Sequence, residues 1–452
     1  MMKPCFSDPE RLPERGKTDH KNGSSRRNES DMKKRILALI LALAMVTALA
    51  ACSGEAKDTG KTPESETGEA PASEMKTVKA GLVCIGDEND KGYTYNFIRA
   101  TETAKAELAK KGINVEWVIK YNLIEGDPVA VANEELAEDG CAVIFNNSYG
   151  QEPAMLTVAP NFPDVQFVGL TNEGSWKDDL DNTHNAFNRI HEGRYVAGVV
   201  AGMKLQEMIE SKKIKPEEAV IGYVGAYSFA EVISGYTAYF LGARSVCPSV
   251  TMKVQFVGSW SDATLEANAA QALIDQGCVL ISQHSDNTTP ATTAEKNGVF
   301  HTGYNADMID AAPKASIIST RIDWTKYFVY AISAVAEGKN FDADYSHGMA
   351  EGEVVMTDLN EEIAAPGTAE KMKEVMDQIA AGTLKVFDTS KFTVDGKAVS
   401  SYTAIDMTGD FVPDEGEAIW DGEFHESAVP DLMSAPYFAL RIDGITLLNE
   451  AY

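Results

Sequence analysis

The feature that most constrains this chain is an alternation of short apolar runs with helical stretches, restarting about every 25–30 residues. Residues 78–85 read VKAGLVCI and stop at Gly86, the pattern of a strand buried on both faces. Residues 93–110 then place Ala and Leu on one helical side and Lys and Glu on the other. Further strands are predicted at 115–119, 141–145 and 165–170, with helices at 128–138 and 151–159 between them. Pro128 stands near the first turn of its helix, where a missing N–H costs nothing.

After His191 the pattern starts again. Helices are predicted at 191–210, 229–244, 262–276, 289–297 and 324–337, and strands at 220–224, 250–257, 279–282, 299–303 and 316–322. Strands alternating with helices at this period give α/β folding on parallel sheets. Two such runs in tandem predict two doubly wound lobes, although no internal sequence repeat relates them. Ligands of such sheets sit beyond the carboxyl ends of the strands, so the strand-to-helix turns carry the functional signal. These turns fall at 86–93, 146–150, 225–228, 258–262, 283–287 and 303–307. Each mixes glycine, an amide or carboxylate, and usually an aromatic residue. Facing one another, they predict a cleft suited to a neutral, flat, hydrogen-bonding ligand.

The N-terminus carries a second message. Lys33, Lys34 and Arg35 precede an uncharged apolar run at 36–48, and the run ends in Leu49-Ala50-Ala51-Cys52. The run is too short to span a bilayer and has the layout of a signal peptide. The small residues before the cysteine resemble the lipobox of bacterial lipoproteins, which implies that Cys52 is lipidated. Residues 32–51 are therefore read as the signal, and Met32 as the true start. Residues 1–31 are read as an upstream extension that is not native. Residues 52–76 follow as a lipidated cysteine and a polar linker that cannot bury a core. The expectation is an extracytoplasmic protein anchored to the cell membrane.

Net charge is −28, and the exported part is more acidic still because residues 1–51 carry an excess of Lys and Arg. That balance argues against a nucleic-acid partner. Of the 6 cysteines, Cys84, Cys141, Cys247 and Cys278 lie in or beside apolar runs without CxxC spacing. They are expected to be buried free thiols, with a Cys84–Cys141 bridge left open. His284 has no second histidine near it in sequence, so no metal site is expected. The carboxylates Asp87, Glu88 and Asp90 would repel a phosphate from the first turn. No G-x-S-x-G elbow and no H-E-x-x-H motif occurs, so no catalytic residue is assigned and no cofactor is expected.

Five stretches resemble the basic membrane protein (Bmp/Med) family of ABC-transporter substrate-binding lipoproteins. They are residues 87–93 (DENDKGY), 148–150 (SYG), 192–198 (EGRYVAG), 235–244 (GYTAYFLGAR) and 303–308 (GYNADM). The resemblance implies a type I periplasmic-binding-protein fold, with two lobes joined by a three-strand hinge. It places residues 77–188 plus 323–345 in lobe 1 and residues 189–322 plus 346–452 in lobe 2. It also implies a purine nucleoside or nucleobase as ligand and an ABC permease as partner. By position, Tyr93 (or Phe97) and Tyr227 are the expected ring-stacking residues, with Trp260 and Tyr149 beside them. Asp90, Asn147, His284, Asp286 and Asp307 are the expected polar contacts. Two other readings stay open: a secreted α/β enzyme acting on nucleosides, and a lipoprotein that senses ligand.

Overall fold

The computed structural model describes residues 75–170, 180–407 and 413–452. The signal peptide, Cys52 and most of the linker lie outside the described residues.

Elements are numbered in chain order. The first sheet begins with β1 (Lys76–Val83), followed by α1 (Tyr93–Lys110), β2 (Ile113–Lys120), α2 (Asp127–Glu138) and β3 (Val143–Asn146). The chain continues through α3 (Glu152–Val158), β4 (Gln166–Gly169) and β5 (Thr183–Ala186). The second sheet is built from α4 (Ile190–Glu210), β6 (Val220–Gly225), α5 (Ala230–Val246), β7 (Thr251–Phe256), α6 (Ala263–Asp275), β8 (Leu280–Gln283), α7 (Thr289–Asn297), β9 (Phe300–Tyr304) and β10 (Ser316–Ile322). Then come α8 (Thr325–Ala336), β11 (Asp344–Tyr345), β12 (Val354–Met356) and α9 (Thr368–Ala380).

The first sheet has six strands in the order β11-β5-β4-β3-β1-β2, and its pairings are all parallel. The last strand, β13, is Ile445–Leu447, and the second sheet has seven strands in the order β12-β10-β9-β8-β6-β7-β13. Only β12 runs antiparallel there. Each sheet is wound on both sides of its first strand, so the turns after β1 and β3 come together, as do those after β6, β7, β8 and β9. This is the doubly wound α/β architecture that the alternation predicts.

Three segments carry the chain between the sheets. They run from β5 to α4, from β10 to α8, and from β11 to β12. A single buried residue joins all three, two through its carboxylate and one through its backbone carbonyl. Glu353 accepts from Asn188 Nδ2 at 3.0 Å, from Tyr345 OH at 2.5 Å and from His347 Nδ1 at 2.8 Å. Its carbonyl accepts from the backbone of Asp323 at 2.7 Å.

β5 is absent from the sequence reading, for a physical reason. Its residues Thr183, His184 and Asn185 are polar, yet buried. Their polar atoms are paired: His184 Nδ1 with the Asp342 carbonyl and Nε2 with Gln166 Oε1, and Asn185 Nδ2 with Asp344 Oδ1. A polar strand whose partners lie far away in sequence leaves no apolar period to read. The unassigned C-terminal part has a structural place as well. It supplies β12 and β13 to the second sheet and closes a small aromatic core, in which Phe387 stacks on Phe438 at 4.5 Å. Cys84, Cys141, Cys247 and Cys278 are buried and free, so Cys84 and Cys141 are not bridged.

Candidate functional site

The turns at the strand carboxyl ends enclose a narrow cleft. Ile85, Tyr93, Ser148 and Tyr149 line it from the first sheet's side. Glu231, Trp260, His284, Asp286, Tyr304 and Asn305 line it from the second.

Local sequence fixes these positions. Gly92 opens α1 and sets Tyr93 at the helix start. Ser148 follows β3 and caps a short turn whose Gln151 reaches back to the Ser148 N–H. Glu231 stands in the first turn of α5, where the positive end of the helix dipole favours a carboxylate. Asn305 holds a left-handed backbone, φ 65°, which asparagine tolerates better than most residues. That turn aims its side chain at Asp286, with Nδ2 3.2 Å from Oδ1.

The polar groups form one connected set. His284 is buried, and its Nε2 lies 3.4 Å from Glu231 Oε1 while its Nδ1 lies 3.3 Å from Tyr223 OH. Burial, with the Arg194 charge nearby, lowers the imidazole pKa to about 4. The ring is therefore neutral near pH 7, and its contact with Glu231 is a hydrogen bond rather than an ion pair. A carboxylate only accepts, so Nε2 carries the hydrogen and Nδ1 accepts from Tyr223. Beneath the cleft, Arg194 is buried with its guanidinium carbon 3.3 Å from the centre of the Tyr304 ring. It donates to the Gln283 carbonyl at 2.9 Å, and its Nε and Nη2 find no hydrogen-bond partner among the described residues. Burial, reinforced by Asp90 and Glu266, raises the Asp286 carboxyl well above the usual carboxylate range.

Of the residues expected from sequence, the structure brings Tyr93, Tyr149, Trp260, His284 and Asp286 to the cleft. The other five lie elsewhere. Phe97 is fully buried and stacks on Trp324 at 4.7 Å, so it belongs to the core. Tyr227 does not line the cleft; it stacks on Phe229 at 5.2 Å and stands edge-on to Trp260 at 5.3 Å. Asp90 turns inward to cap α1, accepting from the N–H groups of Gly92, Thr94 and Tyr95. Asn147 is buried, and its Oδ1 accepts from the Ile85 N–H at 2.9 Å. Asp307 is exposed and caps its own turn through the Ile309 N–H at 2.8 Å. The left-handed step at Asn305 gives that residue the cleft-facing place instead.

Ile85, Ser148, Glu231, Tyr304 and Asn305 are the residues that sequence reasoning missed. All but Glu231 end a strand or sit in a turn already singled out, and Glu231 begins the helix after one. Among the described residues, no group of three His, Cys, Asp or Glu is placed to hold a metal ion.

Two α/β sheets linked by three crossings and closing on a polar, aromatic cleft define a solute-binding protein of the periplasmic-binding-protein type. The comparisons agree. Residues 77–386 match the Bmp family model, described as ABC transporter substrate-binding protein PnrA-like, and the chain belongs to that family. A purine-binding protein of Brucella abortus is 33% identical over 73% of this chain and 91% of its own length. A putative ABC transporter glucose-binding protein of Haloferax volcanii is 31% identical over 78% of this chain and 88% of its own. Among solved structures, a solute-binding protein of an ABC transporter system from Conexibacter woesei matches with a TM-score of 0.55 at 19% identity. That match covers 68% of this chain and 98% of the other and shares the fold. The protein is an ABC transporter substrate-binding protein.

Proposed function

We propose that this chain is an extracytoplasmic receptor, anchored through lipid at Cys52, that delivers a purine nucleoside or nucleobase to an ABC permease. Its lobes are residues 77–188 plus 323–345 and residues 189–322 plus 346–452. The carrying observation is the make-up of the cleft lining. Tyr93, Tyr149, Trp260 and Tyr304 offer aromatic surface, Glu231 offers a carboxylate, and among the described residues no Lys or Arg lines the cleft. Aromatic faces hold a flat ring. A carboxylate without a facing cation disfavours phosphate, which selects a nucleoside or free base over a nucleotide. The name of the Brucella relative points the same way.

The test is a thermal-shift screen followed by calorimetry, using purine bases, purine nucleosides, nucleotides and hexoses. One-to-one binding of a base or nucleoside, recovered unchanged, is the expected result. Binding of a hexose alone would transfer the reading to sugar transport, in line with the name of the Haloferax relative. Release of free base from a nucleoside would make the protein an enzyme instead.

A further inference from the structure

We propose that Glu231 is the specificity-determining acceptor of the cleft, reading the paired N–H edge of a 2-amino-6-oxopurine, and that Tyr223 and His284 position it for that task. The inference rests on the purine reading above and deepens it.

Glu231 Oε1 receives the His284 Nε2–H, and the opposite ring nitrogen is held by Tyr223 OH. Tyr223 and His284 are both almost wholly buried, so water does not compete for the pair. Glu231 keeps 17% side-chain exposure, and that exposure opens on the cleft. The imidazole is neutral and its one ring hydrogen is committed, so the chain of donors runs one way, from Tyr223 through His284 to Glu231. Its end is a carboxylate that accepts and does not donate. Arg194 supplies a buried positive charge beside Tyr304 and His284, which disfavours a second proton on the imidazole.

Such an end group discriminates between purines by their edges. Guanine presents N1–H and the 2-amino group side by side, two donors for two carboxylate oxygens. Hypoxanthine presents N1–H alone. Adenine turns the N1 lone pair toward the carboxylate, which is repulsive. The expected order is guanosine above inosine above adenosine, and likewise for the free bases. A site built to hydrogen-bond a group rejects the analogue that lacks it by about tenfold or more.

The experiment is calorimetric titration of the three nucleosides and their bases into the wild-type protein, Glu231→Gln and Tyr223→Phe. Glutamine has the shape of glutamate but one donor and one acceptor, which matches the adenine edge. The expected result is a wild-type preference for guanosine over adenosine that collapses or inverts in Glu231→Gln. Tyr223→Phe, which loosens the pair without touching the cleft, lowers the same ratio in smaller measure. It serves as the readout if Glu231→Gln does not fold. A general loss of packing would weaken all ligands alike, so the ratio isolates the specificity role. Equal weakening of guanosine and adenosine, or a ratio unmoved by either variant, overturns this inference and leaves the purine reading standing. Binding of hexoses with no purine binding overturns both.

Discussion

The backbone N–H of Tyr93, at the head of α1, donates to Asp286 Oδ1 across the cleft at 3.1 Å. The same oxygen accepts from Asn305 Nδ2, and the Asp286 N–H donates to the Trp260 carbonyl at 2.9 Å. One residue, through its side chain and its backbone N–H, thus ties a turn of the first sheet and its own turn to two further turns of the second. Gly92 permits the approach, since a Cβ there would lie 2.7 Å from Asp286 Cα. In a hinged receptor, contact of this kind forms as the lobes close.

Gly92→Ala is therefore expected to hold the lobes apart without unfolding either. Ligand affinity should drop by about tenfold or more, roughly 1.4 kcal/mol. The melting temperature of the ligand-free protein should stay near that of the wild type. Small-angle scattering should show wild-type protein contracting on ligand addition and the variant failing to do so. Wild-type affinity in Gly92→Ala would mean that the Gly92–Asp286 contact is not part of the liganded form.

The aromatic groups separate into those that line the cleft and those that only touch the lining. Trp260→Ala should cost about 1–3 kcal/mol in binding, the range of a base stacked on an aromatic side chain. Tyr227→Ala should cost less, because its ring does not line the cleft and acts only through its contact with Trp260. Calorimetry on the two variants ranks them, and a larger loss for Tyr227 would reverse the assignment.

This pair also shows how far the sequence could be read. Both residues lie in turns at strand carboxyl ends, and the alternation located those turns correctly. Within a turn, no period of 2.0 or 3.6 tells which side chain faces the ligand. Backbone steps such as the left-handed Asn305 decide it, so Asn305 rather than Asp307 faces the cleft. Glu231 escaped notice because it reads as an ordinary acidic residue in a first helical turn. The two sheets were legible wherever strands are apolar. β5 and the irregular C-terminal part were not, because their burial depends on polar pairs and aromatic contacts made with distant residues.

The hinge rests on Glu353, whose buried carboxylate is shared by Asn188, Tyr345 and His347. Removing it in Glu353→Ala strands Asn188 and Tyr345, which are buried. A loss of about 2–4 kcal/mol in unfolding free energy is expected, from a cavity plus unpaired polar groups. Urea denaturation measures it. A change below ~0.5 kcal/mol, the usual size for a surface substitution, would show that the three crossings do not depend on this group.

Stability should also decline on the alkaline side for an identifiable reason. Glu426 is buried, bonded to Ser234 Oγ and 3.8 Å from His191 Nδ1. Burial raises its carboxyl from 4.5 to about 8. A folded-state value above the unfolded one means that the folded protein holds the proton more tightly. Its contribution is complete below the unfolded value and is lost as pH rises through the folded one. Glu266, raised to about 7, acts in the same direction. The buried histidines act oppositely: His191 and His301 are lowered to about 3, and His184 and His284 to about 4, from 6.5. Their contribution is full above the unfolded value and is lost as pH falls toward the folded ones. Above about pH 7.5 the histidine contribution is level, and the slope is set by these carboxyls together with the Cys84, Cys141, Cys247 and Cys278 thiols, which burial also raises. Glu426→Gln, which mimics the protonated acid, should flatten that slope and melt above the wild type at about pH 9, with little difference near pH 5. Thermal unfolding across this range decides the matter, and parallel wild-type and variant curves would assign the alkaline loss to another group.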